Sequence, residues 1–350
     1  MNPELNEKIT RSLISKAKTP KEKATVLFAA APEQGKNAVK LYSAEYFYYC
    51  GIGGILSCGL THTAVTPLDV VKCNVQANPD KFKGTVQGFK YITSGEASAL
   101  GFKSGFAGLM KGWGPTAWGY SVQGLCKFGF YEYFKWLFAS WVGEEKAHRY
   151  RDLVYLTASA SAELIADVAL CPFEAVKVRI QTNPLYANGL MDGLPKFIAQ
   201  EGFGNLYAGI APLWARQVPY TIIKFMAFER IAEFLFNLYP KPKSDMNKAE
   251  QMSVIFTAGY LAGVLCGVVS HPADTMVSKI NKLKMEGSLG DKVRMIYTGT
   301  PQQPGIGFAG LWKGLGPRVF MIGTLTGLQW FIYGAFKAAV GLPVPGAAKK

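Results

Sequence analysis

Long apolar stretches alternate with short polar segments along most of this chain. Three of the stretches carry no Asp, Glu, Lys or Arg, and they cover Tyr46–Leu68, Ser253–Ala273 and the slightly shorter Val319–Phe336. A helix needs roughly 20 apolar residues to cross a bilayer. Buried helices in the core of a large soluble protein are the alternative interpretation. Three such stretches in a glycine-rich chain favour membrane spans.

The chain also contains an internal repeat of about 100 residues, which is the scale of a repeated structural unit. The segment PLDVVK, which begins at Pro67, recurs as PFEAVK from Pro172 and as PADTMV from Pro272. A second motif repeats in step with it, as FAGLMKG, FGNLYAG and FAGLWKG. Three matched copies of both motifs indicate three diverged copies of one unit.

Each copy predicts a long helix that runs past the proline motif, a loop with a short amphipathic helix, and a second long helix. The proline removes a backbone hydrogen bond and kinks the first helix. We therefore predict an all-α membrane protein with six transmembrane helices, arranged as three two-helix repeats in a pseudo-threefold bundle. The helices are expected at about 45–75, 115–141, 151–181, 212–238, 249–281 and 316–340. The repeats are expected at 44–142, 150–240 and 248–341, between a polar N-terminal tail (1–43) and a C-terminal tail (342–350).

Composition and charge narrow the class of protein. Only 18% of residues are charged, below the ~25% usual in soluble domains. The net charge of +14 favours an anionic partner. Nucleic acid is not expected, because the basic residues are scattered among apolar stretches and form no dense patch. The six cysteines show no CxxC motif and no disulfide-framework spacing.

Small residues recur at helical spacing within two of the predicted helices. Such spacing allows close helix approach in lipid, although a chain rich in Gly and Ala also produces it by chance. The two triplets are Ala158, Ala162 and Ala166, and Gly259, Gly263 and Gly267.

The positions where the three repeats disagree predict the substrate site, because a threefold scaffold must break its symmetry around an asymmetric cargo. Five residues before the motif prolines stand His62, Asp167 and Gly267, and nine before them stand Cys58, Glu163 and Gly263. Glu163 and Asp167 are like charges four residues apart, which favours protonation of one of them. His62 titrates near neutral pH. A packing histidine is the alternative for His62, but two acids at equivalent depth favour a proton-binding set.

An anionic cargo would also need cations and neutral hydrogen-bond donors. Arg216 follows the start of the second helix of repeat two, and a guanidinium can bind an anion through two nitrogens. Lys127 and Lys224 occupy equivalent positions in repeats one and two, where lysines that reach toward lipid headgroups are the alternative. Gln123 and Thr63 are candidates for neutral hydrogen bonds.

The three copies of Pro-x-Asp/Glu-x-x-Lys/Arg resemble the mitochondrial carrier family over about residues 44–340. Within that family, Thr61-His62-Thr63 and the segments 162–172 and 270–274 are similar to the phosphate carrier branch. The resemblance implies that the motif charges pair between repeats and close the cavity on the matrix side, with Asp69 on Lys177 and Asp274 on Lys72.

Two departures from the family pattern weaken the implied gates. The basic residue expected to meet Glu174 is replaced by Val277, so an incomplete matrix gate is expected, with Gln76 and Gln181 bracing the ion pairs. On the cytoplasmic side only the first repeat keeps the full gate motif, in Tyr131, Glu132 and Lys135, which predicts a thin gate.

The resemblance, together with the titratable residues of the candidate site, thus implies a secondary transporter that imports inorganic phosphate with a proton into the mitochondrial matrix. Two alternatives stay open. One is a copper carrier, in which Cys50 and Cys58 are candidate ligands because cysteine suits Cu(I). The other is a membrane scaffold without transport, which titratable residues on the cavity face argue against. No nucleophile–base grouping indicates an enzyme, and no cofactor is expected. A monomer in the mitochondrial inner membrane, in contact with cardiolipin, is expected.

Overall fold

The computed structural model describes residues 39–78, 80–283, 289–300, 303–312 and 315–345. The first third contains α1 (Ala44–Ala77), α2 (Thr85–Thr93), a 3-10 helix (Glu96–Leu100), α3 (Phe106–Leu109) and α4 (Trp113–Val142). The second contains α5 (Glu144–Arg149), α6 (Arg151–Thr182), α7 (Leu190–Glu201), a 3-10 helix (Phe203–Tyr207) and α8 (Ile210–Leu238). After a 3-10 turn (Lys243–Asp245), the last contains α9 (Lys248–Leu283), α10 (Leu289–Thr298), β1 (Gly299–Thr300), β2 (Gln303–Pro304), α11 (Gly307–Leu311) and α12 (Leu315–Ala339). The two strands pair antiparallel, with Gly299 opposite Pro304.

The long helices α1, α4, α6, α8, α9 and α12 confirm the six predicted helices, with every end within two residues. Three of them contain the motif prolines, Pro67, Pro172 and Pro272, in their interiors. At the start of α1 the Ser43 side chain accepts a hydrogen bond from the Tyr46 amide at 3.1 Å, which satisfies one of the free N–H groups of the first turn.

The six long helices pack in a closed ring. Helix α4 lies between α1 and α6, α8 lies between α6 and α9, and α12 packs against both α9 and α1. Among the described residues, three helices are long and apolar enough to cross a membrane, and they lie within α6, α9 and α12.

Glycine and alanine bring neighbouring helices together, as the triplets predicted. Ala158, Ala162 and Ala166 are fully buried along α6. A methyl group on Gly263 would stand 2.9 Å from the α-carbon of Gly323 in α12. The close approach of Gly54 in α1 to Gly124 in α4 was not among the predicted contacts.

The last residues of the predicted N-terminal tail and the first residues of the predicted C-terminal tail pack against the bundle. Leu41 and Tyr42 are buried against the start of α1, and Leu342 packs on the same apolar cluster. Val344 is buried beside the ends of α8 and α9. These apolar side chains lie next to the bundle and therefore pack against it, whereas residues 1–38 and 346–350 lie outside the described residues.

Candidate functional site

A buried cluster of charged and amide side chains lies between α4 and α6. Lys127 Nζ contacts a carboxylate oxygen of Glu163 at 2.9 Å, and the two side chains are 5% and 0% exposed. Gln123 donates from Nε2 to Glu163 at 3.3 Å and to Asp167 at 3.2 Å. Glu163 and Asp167 share one face of α6 because they are four residues apart. The structure therefore brings together the predicted pair of acids, one predicted lysine and the predicted glutamine.

The second predicted lysine extends this cluster to α8 and α12. Lys224 Nζ donates to Gln329 Oε1 at 3.4 Å, and Lys127 Nζ donates to the Thr221 hydroxyl at 3.4 Å. Both lysines are almost fully buried. Gln329 and Thr221 were not predicted as site residues. The sequence contains a sign that Gln329 belongs to the site, because in the third repeat it occupies the position of Lys127 and Lys224.

His62 joins the cluster through neutral side chains. Its ring stacks on Tyr120 with the centroids 3.8 Å apart. Its Nδ1 lies 2.9 Å from the Cys58 carbonyl oxygen, and because a carbonyl only accepts, Nδ1 carries the hydrogen. Gln329 Nε2 lies 3.4 Å from the same nitrogen. Gln329 thus lies between His62 and Lys224, and within the described residues no hydrogen bond joins His62 to Glu163 or Asp167.

An aromatic layer covers one side of the cluster. It consists of the residues that directly follow Lys127, Lys224 and Gln329, namely Phe128, Phe225 and Trp330, together with Phe228 and Tyr333. Their centroids lie 3.5–6.0 Å apart, and Phe228 stacks on Trp330 with an interplanar angle of 4°. All five residues are at most 2% exposed. The layer joins α4, α8 and α12 and excludes solvent from that side.

An ionic network lies between the ends of the long helices near this layer, and it includes the predicted gate residues Glu132 and Lys135. We call it the Lys135 network, and it consists of Glu132, Lys135, Glu229 and Lys337. Lys135 contacts Glu132 at 3.1 Å and Glu229 at 3.7 Å, and Lys337 contacts Glu132 at 3.8 Å. Lys135 also lies 4.5 Å from the centre of the Tyr131 ring. The incomplete motifs of repeats two and three still supply one charge each, so the network links α4, α8 and α12.

The proline motifs form a second network at the other end of the charged cluster, which we call the Lys177 network. Lys177 Nζ contacts Asp69 of α1 at 3.0 Å, as predicted, and Glu174 of its own helix at 3.5 Å. The Tyr120 hydroxyl donates to Glu174 at 3.4 Å. Lys177 therefore contacts Glu174, the carboxylate whose expected basic partner is replaced by Val277.

The other residues predicted for the matrix gate are Asp274, Gln76, Lys72 and Gln181. The side chains of Asp274 and Gln76 lie outside the described residues, and Lys72 is exposed. Gln181 is buried, and its amide has no hydrogen-bond partner among the described residues, so its bracing role stays a prediction. Asn74 makes the cross-link instead, because its amide donates to the Gln181 backbone oxygen at 2.8 Å.

Arg216 and Thr63 do not join the lysines in this structure. Arg216 is exposed and lines a separate cavity of about 440 Å³ between α6 and α8, together with Glu174 and Arg179. The Thr63 hydroxyl donates to the Gly59 carbonyl oxygen of its own helix at 2.7 Å. The helix backbone is the nearest acceptor for a threonine in a helix, so the Thr63 hydroxyl bonds within α1 and not to the charged cluster.

The two cysteines predicted as copper ligands lie in different apolar clusters. Cys50 packs in the cluster of Leu41 and Leu342, whereas Cys58 packs beside Phe128. Within the described parts of the chain, no group of three or more His, Cys, Asp or Glu side chains could hold a metal ion. The structure offers the copper alternative no support.

Comparison with known proteins places this arrangement in a family. The mitochondrial carrier protein model matches residues 43–140, 150–239 and 248–342. A probable mitochondrial phosphate carrier protein of Schizosaccharomyces pombe is 50% identical over 93% of this chain and 100% of its own length. Mitochondrial phosphate carrier protein 3 of Arabidopsis thaliana is 51% identical over 91% of this chain and 80% of its length. Solute carrier family 25 member 3 of Bos taurus is 51% identical over 93% and 85%. The chain therefore belongs to the mitochondrial carrier family and is a transporter of the mitochondrial inner membrane rather than an enzyme.

Proposed function

We propose that this protein imports inorganic phosphate into the mitochondrial matrix together with a proton. Relatives that are about half identical to it carry the name of phosphate carriers. The observation that carries the proposal is the buried pair of Lys127 and Glu163, with Asp167 and Lys224 beside it.

The charge balance of this site explains why a proton would accompany the anion. Two lysines and two carboxylates sum to zero when all four are ionised. A phosphate monoanion that binds Lys127 displaces Glu163, and a buried carboxylate without its partner is strongly destabilised. Protonation of Glu163 removes that cost and keeps the loaded site neutral.

The same proton makes translocation independent of the membrane potential. An anion that moves alone toward a negative matrix works against about 2.3 kcal/mol per charge for each 100 mV. A phosphate monoanion with one proton carries no net charge. The pH difference across the membrane can then drive the import.

Transport requires the site to open to each side in turn. In the proposed arrangement the three two-helix repeats form a pseudo-threefold bundle of six transmembrane helices. The Lys177 network closes it on the matrix side, and the aromatic layer with the Lys135 network closes it on the cytoplasmic side. Breaking Lys177 away from Asp69 would open the matrix side, and Arg216, at the edge of that path, would meet phosphate there. The carrier is proposed to act as a monomer in contact with inner-membrane lipids, cardiolipin among them.

Labelled-phosphate uptake into proteoliposomes, with and without an imposed pH gradient, tests the proposal. Wild type should show gradient-driven uptake, whereas Glu163→Gln should lose the response to the gradient, because Gln cannot exchange a proton. Glu145→Gln, at an exposed position, is the matched control and should behave as wild type. Absence of phosphate uptake by the wild type would refute the substrate, and full gradient-driven uptake by Glu163→Gln would remove Glu163 from the proton path.

A further inference from the structure

The third repeat contributes a neutral side chain at the position where the other two contribute lysines. Lys127, Lys224 and Gln329 are repeat-equivalent, and each is followed by an aromatic residue of the layer that closes the site. Lys224 Nζ lies 3.4 Å from Gln329 Oε1, and Lys127 Nζ lies 3.4 Å from the hydroxyl of Thr221, which is on the same helix as Lys224. The three side chains therefore lie at one level of the bundle, on α4, α8 and α12.

The chemistry of its neighbours fixes the orientation of the Gln329 amide. An ammonium group only donates, so the amide oxygen must face Lys224, as it does at 3.4 Å. The amide nitrogen then faces His62 Nδ1 at 3.4 Å. That nitrogen already donates its hydrogen to the Cys58 carbonyl at 2.9 Å. A donor thus faces a donor, and the two make no hydrogen bond.

This arrangement leaves an amide N–H of Gln329 unused in a place that is 2% exposed. In the described part of the chain, the polar atom that Gln329 Nε2 approaches is His62 Nδ1. Buried donors in folded proteins are nearly always satisfied. The unused N–H, on the amide that contacts the Lys224 ammonium group, is suited to an oxygen of an oxyanion.

We propose that Gln329 is the third binding residue of the anion site, where it donates to one phosphate oxygen and holds Lys224 through its amide oxygen. The inference rests on the proposed function and adds a residue that determines specificity. A neutral third residue limits the site to two cations, which matches two carboxylates and makes binding of a monoanion depend on one proton. A third lysine at this position would supply that charge permanently.

The test compares phosphate uptake by wild type, Gln329→Leu and Gln329→Lys in proteoliposomes. Leu has a similar size but no donor, so the KM for phosphate should rise about three- to tenfold, the loss of one neutral hydrogen bond. The thermal midpoint in detergent should stay near that of wild type. Gln329→Lys should take up phosphate without a pH gradient, and an imposed membrane potential should then change its rate.

The matched control is Gln251→Leu, which removes a glutamine that bonds the backbone oxygens of Lys243 and Met246, outside the site. Its KM should equal that of wild type. The inference would be overturned if wild type transports phosphate and Gln329→Leu has the same KM as wild type. The proposed function would then still stand. An equal rise of KM in Gln251→Leu, or strict dependence of Gln329→Lys on the pH gradient, would also overturn it. Absence of uptake by the wild type would refute the proposed function itself.

Discussion

Single glycines set the distance between the first two long helices. A methyl group on Gly124 would overlap the backbone oxygen of Gly54, and neither backbone can yield without moving its helix. Lys127 stands one turn further along α4, so its place in the charged cluster depends on this contact.

Gly124→Ala should therefore destabilise the protein by about 1–3 kcal/mol, the usual result of overpacking. Gly114→Ala is the control on the same helix, because no atom of a neighbouring residue lies within 4 Å of the place that its methyl group would take. Thermal unfolding in detergent should show a lower midpoint for Gly124→Ala and an unchanged or higher one for Gly114→Ala. Equal midpoints for the two variants would contradict the packing argument.

At the level of residues, the sequence identified the charged members of the site but not their contacts. Glu163, Asp167 and Lys127 stood out because charges are rare in apolar helices. Their pairing depends on how α4 and α6 are rotated about their axes, which no spacing within one helix reveals. Gln329 was passed over because it is neutral, although the repeat alignment already placed it with the two lysines.

At the level of elements, the connection between α8 and α9 holds a half-buried lysine. Lys243 lies 4.5 Å from the centre of the Phe236 ring and donates to the Val344 backbone oxygen at 3.3 Å. Burial lowers the pKa of Lys243 to about 8, with Glu229 acting in the opposite direction and Lys337 adding to the decrease. The connection and the C-terminal segment are thereby held together by a group that is costly to charge.

This lysine predicts a pH dependence of stability. Between about pH 8 and the unfolded pKa of ~10.4, the unfolded chain binds a proton that the folded chain does not, so stability rises with pH. Lys243→Met keeps the apolar stem and removes the charge. Its thermal midpoint should exceed that of wild type at pH 7, and the difference should shrink as the pH rises from 8 to 10.

The neighbouring Lys241→Met is the control for this experiment. Lys241 is fully exposed, and its pKa is raised by a hydrogen bond to Glu250. Exposed pairs contribute little to stability, so its midpoint should follow that of wild type at every pH. A constant difference in thermal midpoint between Lys243→Met and wild type from pH 7 to pH 10 would refute the argument that Lys243 has a lowered pKa in the folded protein.

The elements themselves were the most predictable part of the structure. Apolar stretches of spanning length and the repeated proline motif fixed all six long helices to within two residues. The proposed gates were harder to predict, because a missing charge such as the one at Val277 shows what is absent but not what replaces it. In the structure Lys177 serves two acids, and Glu229 and Lys337 complete a network that their own motifs do not reveal.

At the level of the whole molecule, the Lys135 network holds three helices together over the aromatic layer. Lys135 contacts two carboxylates, Glu132 and Glu229, from two different helices. Removing a buried partner of this kind costs about 3–5 kcal/mol. The closed arrangement should therefore lose population when this lysine is neutralised.

Lys135→Gln should expose Cys58, which is 1% exposed in the closed bundle, to a small charged thiol reagent. In a background that retains only this cysteine, the labelling rate should rise at least tenfold. Lys146→Gln, at an exposed position of α5, should leave the rate unchanged. An equal labelling rate in Lys135→Gln and wild type would show that the network does not keep the bundle closed.

The aromatic layer also has an electrical consequence. A proton crosses a membrane wherever a continuous file of water can relay it, and an apolar constriction interrupts such a file by excluding water. Phe128 and Phe225 offer no hydrogen-bonding group, and Trp330 is packed between them and Phe228. The layer would thus insulate the proposed proton site. Under the proposed mechanism, the carrier could then deliver a proton with each anion without letting protons leak across the membrane that supplies the driving force.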